Sequence, residues 1–211
     1  MVVVELSGVS KSFRNRDVLS GVDLTIDDGR SYGLVGPNGS GKSLLLQIMC
    51  GLVRPDSGSV EINPKYLSRD RTFPDRFGIA INGPAYLPGL SAMDNLRRLA
   101  AIRRRADNDE LVETLNSVGL DPSSKLKVRN FSLGMRQKLS LAQAFIESPE
   151  VLLLDEPFNA LDVESVANVS GLLRQKLADG ITIVMTSHHS IEIDSLCDTT
   201  LRIENRSVAA N

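Results

Sequence analysis

Short apolar runs bounded by turn residues recur along the chain, at Ser31–Val35, Phe77–Ile81, Val151–Leu154 and Ile181–Met185. Runs of this length with no polar alternation are the pattern of strands buried on both faces of a parallel sheet. Between them apolar positions recur at helical spacing, which predicts helices over Ser43–Cys50, Ala92–Arg105, Asn108–Val118, Leu133–Glu147 and Val163–Ala178. Strand and helix in alternation imply an α/β core built on a mainly parallel sheet. The beginning of the chain reads differently. Val2–Leu6 and Val22–Ile26 alternate apolar with polar residues, and Asp27-Asp28-Gly29 supplies a turn; this predicts an N-terminal antiparallel β-subdomain. From about residue 83 to 139 the patterns are helices and loops with no convincing strand, so a helical subdomain is expected to be inserted into a core formed by about 1–82 and 140–211, all within one domain.

Composition narrows the class of protein. In 211 residues, 42% are hydrophobic and 24% charged, ordinary values for a globular chain long enough to bury a sizeable core. A net charge of −2 gives no global basic field, so nucleic acid is not expected as a partner. The densest apolar stretch, Leu44 to Val53, is far too short to span a bilayer and contains Gln47. The N-terminal Met1-Val2-Val3-Val4-Glu5 lacks the basic region of a signal peptide. Cys50 and Cys197 stand in no metal-ligand spacing and read as inert thiols of a reducing compartment.

The chemistry begins at Gly36-Pro37-Asn38-Gly39-Ser40-Gly41-Lys42-Ser43, which fits G-x-x-x-x-G-K-[ST] at every fixed position. It follows an apolar strand and opens an apolar helix, the context a phosphate-binding loop requires. Glycines let backbone N–H groups turn inward around the phosphates, and the helix N-terminus adds partial positive charge. Lys42 is expected to reach the β- and γ-phosphates of ATP, and the Ser43 hydroxyl to bind Mg²⁺. A second cluster follows at Val151-Leu152-Leu153-Leu154-Asp155-Glu156, a buried strand ending in two carboxylates. Ligands of such sheets sit at the carboxyl ends of strands. Asp155 is expected to hold Mg²⁺, mostly through water, and Glu156 to polarise the attacking water.

Phe131-Ser132-Leu133-Gly134-Met135-Arg136-Gln137-Lys138, placed upstream of the Asp155-Glu156 strand, resembles the signature of ABC ATPase domains, usually written L-S-G-G-Q. The resemblance covers nearly the whole chain, with its motifs in the family's order, and implies a P-loop NTPase core. It further implies that Ser132 and the backbone at Gly134 contact the γ-phosphate held by an opposing subunit. Asn159-Ala160-Leu161-Asp162 resembles the D-loop, which implies a dimer-interface position for Asp162. His188, at the end of the strand Ile183-Val184-Met185-Thr186-Ser187, matches the switch histidine that contacts the γ-phosphate and orients Glu156 and water. Phe13 matches the aromatic that stacks on adenine, with an ordinary core position as the alternative reading. Asn82 falls at the Q-loop position, which implies a Mg²⁺ contact.

Two features depart from the family pattern. Leu133 and Met135 alter the signature, although F-S-L-G-M-R-Q still looks like a branch that includes antibiotic-resistance and peptide exporters. Asn82 stands where Gln is usual, one methylene shorter. The resemblance implies an ATP-hydrolysing subunit that powers a transporter, acting as a homodimer or with a paralogous subunit on separate transmembrane permease subunits, at the cytoplasmic face of the membrane. The alternatives are a soluble ABC ATPase, such as an iron–sulfur assembly factor, and a binding-only ATP switch. The basic run Arg97, Arg98, Arg103, Arg104 and Arg105 reads first as a solvated helical face, and second as a contact for lipid headgroups or a membrane subunit.

Overall fold

The computed structural model describes residues 1–211 other than 15, 69, 82, 84, 188–192, 194 and 211. Two long strands, β1 (Val2–Phe13) and β2 (Arg16–Asp27), form an antiparallel pair, and β4 (Ser57–Ile62) joins the other edge of β1 to give the order β2-β1-β4. Both long strands outrun the short alternating patterns at Val2–Leu6 and Val22–Ile26. Repeated register shifts along the pair break the alternation at its distal end, from Leu6 to Phe13.

The second sheet holds β3 (Ser31–Val35), β5 (Phe77–Ala80), β6 (Val151–Leu154), β7 (Thr182–Ser187), β8 (Thr199–Glu204) and β9 (Ser207–Ala210), in the order β5-β6-β7-β3-β8-β9. Its first five strands are parallel, and β9 returns antiparallel on the edge. The helices are α1 (Lys42–Met49), α2 (Ala92–Arg103), α3 (Asn108–Ser117), α4 (Leu133–Phe145) and α5 (Val163–Ala178), with a 3₁₀ turn at Val128–Asn130.

Side chains of the parallel strands alternate between two apolar clusters. Tyr32, Leu34, Val151, Leu153 and Val184 face a cluster shared with α1 and the antiparallel sheet. Leu152, Leu154, Ile183 and Met185 face one shared with α2, α3, α4 and α5. The central strands are therefore buried on both sides, as their unbroken apolar runs predict. The helices between β5 and β6 pack into the second of these clusters, with Leu96, Leu115 and Leu139 fully buried.

Helix ends follow local chemistry. Asp162 caps α5, accepting from the Ser165 N–H at 2.8 Å, and the Ser165 hydrogen bonds hold its carboxyl below the usual range. α4 stops at Phe145, short of Glu147, because Ile146 turns extended at ψ 162°, and Glu147 and Ser148 follow at positive φ. α2 stops at Arg103, since Arg104 takes a left-handed φ of 57°. The arginines at this end of α2 are not a purely solvated face. Arg103 donates to Asp75 Oδ1 at 2.7 Å, and Arg105 grips both Asp75 oxygens at 2.9 and 2.8 Å, tying the end of α2 to the segment before β5. The Arg105 guanidinium is the main cause that holds the Asp75 carboxyl below its ordinary range.

Candidate functional site

The phosphate loop, residues 36–41, runs from the end of β3 into α1. Gly41 is the N-cap residue of α1 with φ 105°, a conformation that disfavours side chains, and a Cβ there would meet Leu19 at 3.0 Å. Lys42 and Ser43 are the first two helical residues, so α1 points its unpaired N–H groups at the loop. Lys42 is only 6% exposed. Its Nζ donates to Gly36 O at 2.8 Å and to Pro37 O at 3.3 Å. A buried ammonium with three donors is thus held in the concavity of the loop. The Ser40 hydroxyl is buried there with no hydrogen-bond partner among the described residues. A helix N-terminus, a buried cation and an orphaned hydroxyl fit a phosphate chain.

The carboxylates stand across from this loop. β6 lies one strand away from β3, with β7 between them, and Asp155 and Glu156 follow β6 directly. Lys42 Nζ is 4.0 Å from Glu156 Oε1. One residue to which the sequence reading gives no role organises this corner. Thr186, fully buried in β7, donates its hydroxyl to Asp155 Oδ1 at 2.8 Å and accepts the Glu156 N–H at 2.8 Å. The Asp155 N–H donates to Ala80 O on β5 at 2.7 Å. A threonine directly after the apolar run Ile183-Val184-Met185 of a buried strand is the signal that was available, because a buried hydroxyl needs a partner. Thr186→Val keeps the shape and leaves the Glu156 N–H without an acceptor. It is expected to lower stability by about 1–3 kcal/mol in urea titration and to reduce ATP turnover, and an unchanged midpoint would contradict this role.

The remaining positions divide clearly. Ser132 is the exposed N-cap of α4, its hydroxyl accepting the Met135 N–H at 3.1 Å. Gly134 touches the segment after β6, since a Cβ there would stand 2.7 Å from Ala160 O. That contact joins the regions of Ser132 and Asp162. Leu133 and Val163, beside them, are 70% and 88% exposed. Phe13 ends β1 half-exposed, which excludes the core reading, and Lys11 Nζ lies 5.5 Å from its ring centroid. Asn82, two residues past β5, and His188, next after β7, lie outside the described residues. Among the described residues no group of three or more His, Cys, Asp or Glu gathers as a metal site; Ser43 and Asp155, the expected Mg²⁺ positions, carry the hard oxygen donors that such an ion takes.

The comparisons agree with this geometry. The family model described as ABC transporter matches residues 19–159. The chain is 40% identical over 203 residues to the ABC transporter ATP-binding protein YybJ of Bacillus subtilis (strain 168), covering 96% of this chain and 93% of that one. It is 34% identical over 196 residues to the lantibiotic transport ATP-binding protein SrtF of Streptococcus pyogenes, covering 93% and 84%. With the bacitracin transport ATP-binding protein BcrA of Enterococcus faecalis it shares 32% over 199 residues, covering 93% and 64%. Among solved structures, the ATP binding subunit of an ABC transporter superposes with a TM-score of 0.88 at 26% identity, over 99% of this chain and 89% of that one. The ATP-binding cassette MJ0796 has the same fold, with a TM-score of 0.87 at 24% identity over 99% and 97%. A phosphate loop facing a strand-end carboxylate pair, together with these matches, makes the chain a member of the ABC transporter ATP-binding family.

Proposed function

We propose that the chain binds ATP with Mg²⁺ and hydrolyses it to drive a separate membrane permease, in the direction of export. The observation that carries this is the buried Lys42 ammonium set 4.0 Å from Glu156 at the mouth of the phosphate loop. Lys42 and the loop N–H groups would hold the β- and γ-phosphates. Ser43 and Asp155 would hold Mg²⁺, which when bound neutralises phosphate charge. Glu156 takes the proton of the attacking water, with His188 and Asn82 proposed as its helpers and Phe13 as the adenine platform. The relatives named for lantibiotic and bacitracin transport support the export reading.

The signature needs a second ATPase subunit, either a copy of this chain or a paralogue, to complete each site. The exposed Leu133 and Val163, flanking Ser132 and Asp162, support an interface there. The permease would dock at a groove of about 500 Å³ between β5, α2 and α4, lined by Phe77, Ile79, Leu99, Ile102 and Gln143. No described helix is long and apolar enough to cross a membrane, so attachment at the cytoplasmic face would come through that partner. Ser132→Arg tests the sandwich. It places bulk and misdirected charge where the opposing γ-phosphate would sit, and removes a helix cap worth about 1 kcal/mol. ATP binding by the monomer should persist while the ATP-driven dimer on size exclusion is lost; a normal dimer would refute the sandwich.

A further inference from the structure

Helix α4 grips the catalytic segment at two points. Near its N-terminus Gly134 lies against Ala160 O, with no room for a Cβ. One turn later Gln137 Nε2 donates to Glu156 O at 3.2 Å and to Pro157 O at 3.0 Å. The segment between, residues 156–160, contains two residues at positive φ, Glu156 at 50° and Ala160 at 61°. Local preference does not select that shape for residues with a Cβ, so it is imposed by neighbours. Glu156 is held from both sides: Thr186 accepts its N–H, and Gln137 donates to its carbonyl.

We propose that Gln137 is a positioning residue that sets the Glu156 carboxylate according to the state of the signature at the head of the same helix. This rests on the sandwich reading, in which that signature meets nucleotide bound to the opposing subunit. Nucleotide there would hold Ser132 and Gly134, and the rigid turn from Gly134 to Gln137 would carry the constraint to Glu156 of this chain's own site. Each site would then turn over only when the other is filled. A side-chain amide is suited to the task, because it presents two N–H donors to two adjacent carbonyls.

The test compares Gln137→Met with Gln137→Ala in the purified chain. Methionine keeps length and packing and removes the donors. Both variants should lose turnover by about tenfold to a hundredfold, the scale of a misplaced catalytic group. The KM for ATP should stay within about twofold, and the Hill coefficient for ATP should fall toward one. Gln137→Glu, which turns acceptors toward the two carbonyls, should lose turnover in the same way and serves if the methionine variant does not fold. Wild-type turnover in Gln137→Met or Gln137→Glu would overturn the proposal. So would impairment of the alanine variant alone, which would show that the side chain only fills space. A separate arm guards the premise. If Glu156→Gln with Gln137 intact forms no ATP-driven dimer, the sandwich reading fails and the coupling goes with it; if that dimer forms and Gln137→Met turns over normally, only the role of Gln137 is lost.

Discussion

Glu156→Gln is expected to lower ATP turnover by about 10²–10⁴-fold, the usual cost of losing a well-placed general base, while ATP binding is kept or strengthened. Glutamine preserves the side-chain length and the strained backbone, and the N–H bond to Thr186 and the carbonyl bonds from Gln137 do not depend on the carboxylate. What changes is charge. The carboxylate lies 4.0 Å from the Lys42 ammonium, and removing it leaves Lys42 more available to phosphate. Both effects favour a bound, uncleaved nucleotide, so the variant should accumulate as an ATP-bound dimer on size exclusion. Turnover at the wild-type rate would remove Glu156 from its assigned role.

Lys42→Ala is expected to act on binding instead. A hydrogen bond to a charged group contributes about 1.5–3 kcal/mol, which is about tenfold to a hundredfold in Kd. The Lys42 ammonium has more than one donor to give to the phosphates. Its present partners are the Gly36 and Pro37 carbonyls, and these can turn to water at the loop surface, so the fold should survive the substitution. Calorimetric titration with nucleotide, alongside a thermal melt, separates the two effects. Unchanged affinity with unchanged ATPase would count against the phosphate-loop reading.

The sequence carried the core of the site because its chemistry is contiguous. The loop from Gly36 to Ser43 and the pair Asp155-Glu156 are each short runs whose strand and helix context can be read directly. Helix α5 matches its predicted span, since Asp162 caps one end and Gly180 lies just past the other. Other features were not legible. β4 reads Ser-Gly-Ser before its apolar residues and sits largely exposed on a sheet edge, and β8 and β9 follow a stretch with mixed polarity. β4 and β9 are edge strands, which need less apolar surface, so their pattern is faint; β8 is interior, but its Thr199-Thr200 start and Arg202 blur its apolar run. The ends of α2 and α4 were overextended because nothing in the residue types at Arg104, Glu147 and Ser148 announces a positive φ. Thr186 and Gln137 were missed for a different reason. Their partners lie thirty and nineteen residues away, and only the fold brings such pairs together. The roles of Asn82 and His188 rest on the resemblance, since both lie outside the described residues.

The backbone at Glu156 sets stability against activity. A left-handed conformation costs a residue with a Cβ about 1–2 kcal/mol, and glycine escapes most of that cost. The carboxylate is therefore kept at a position where the chain, judged by folding alone, would be better served by another residue. Selection of this protein for heat tolerance without selection for turnover should drift toward substitution at 156, giving hardier molecules that hold nucleotide and do no work.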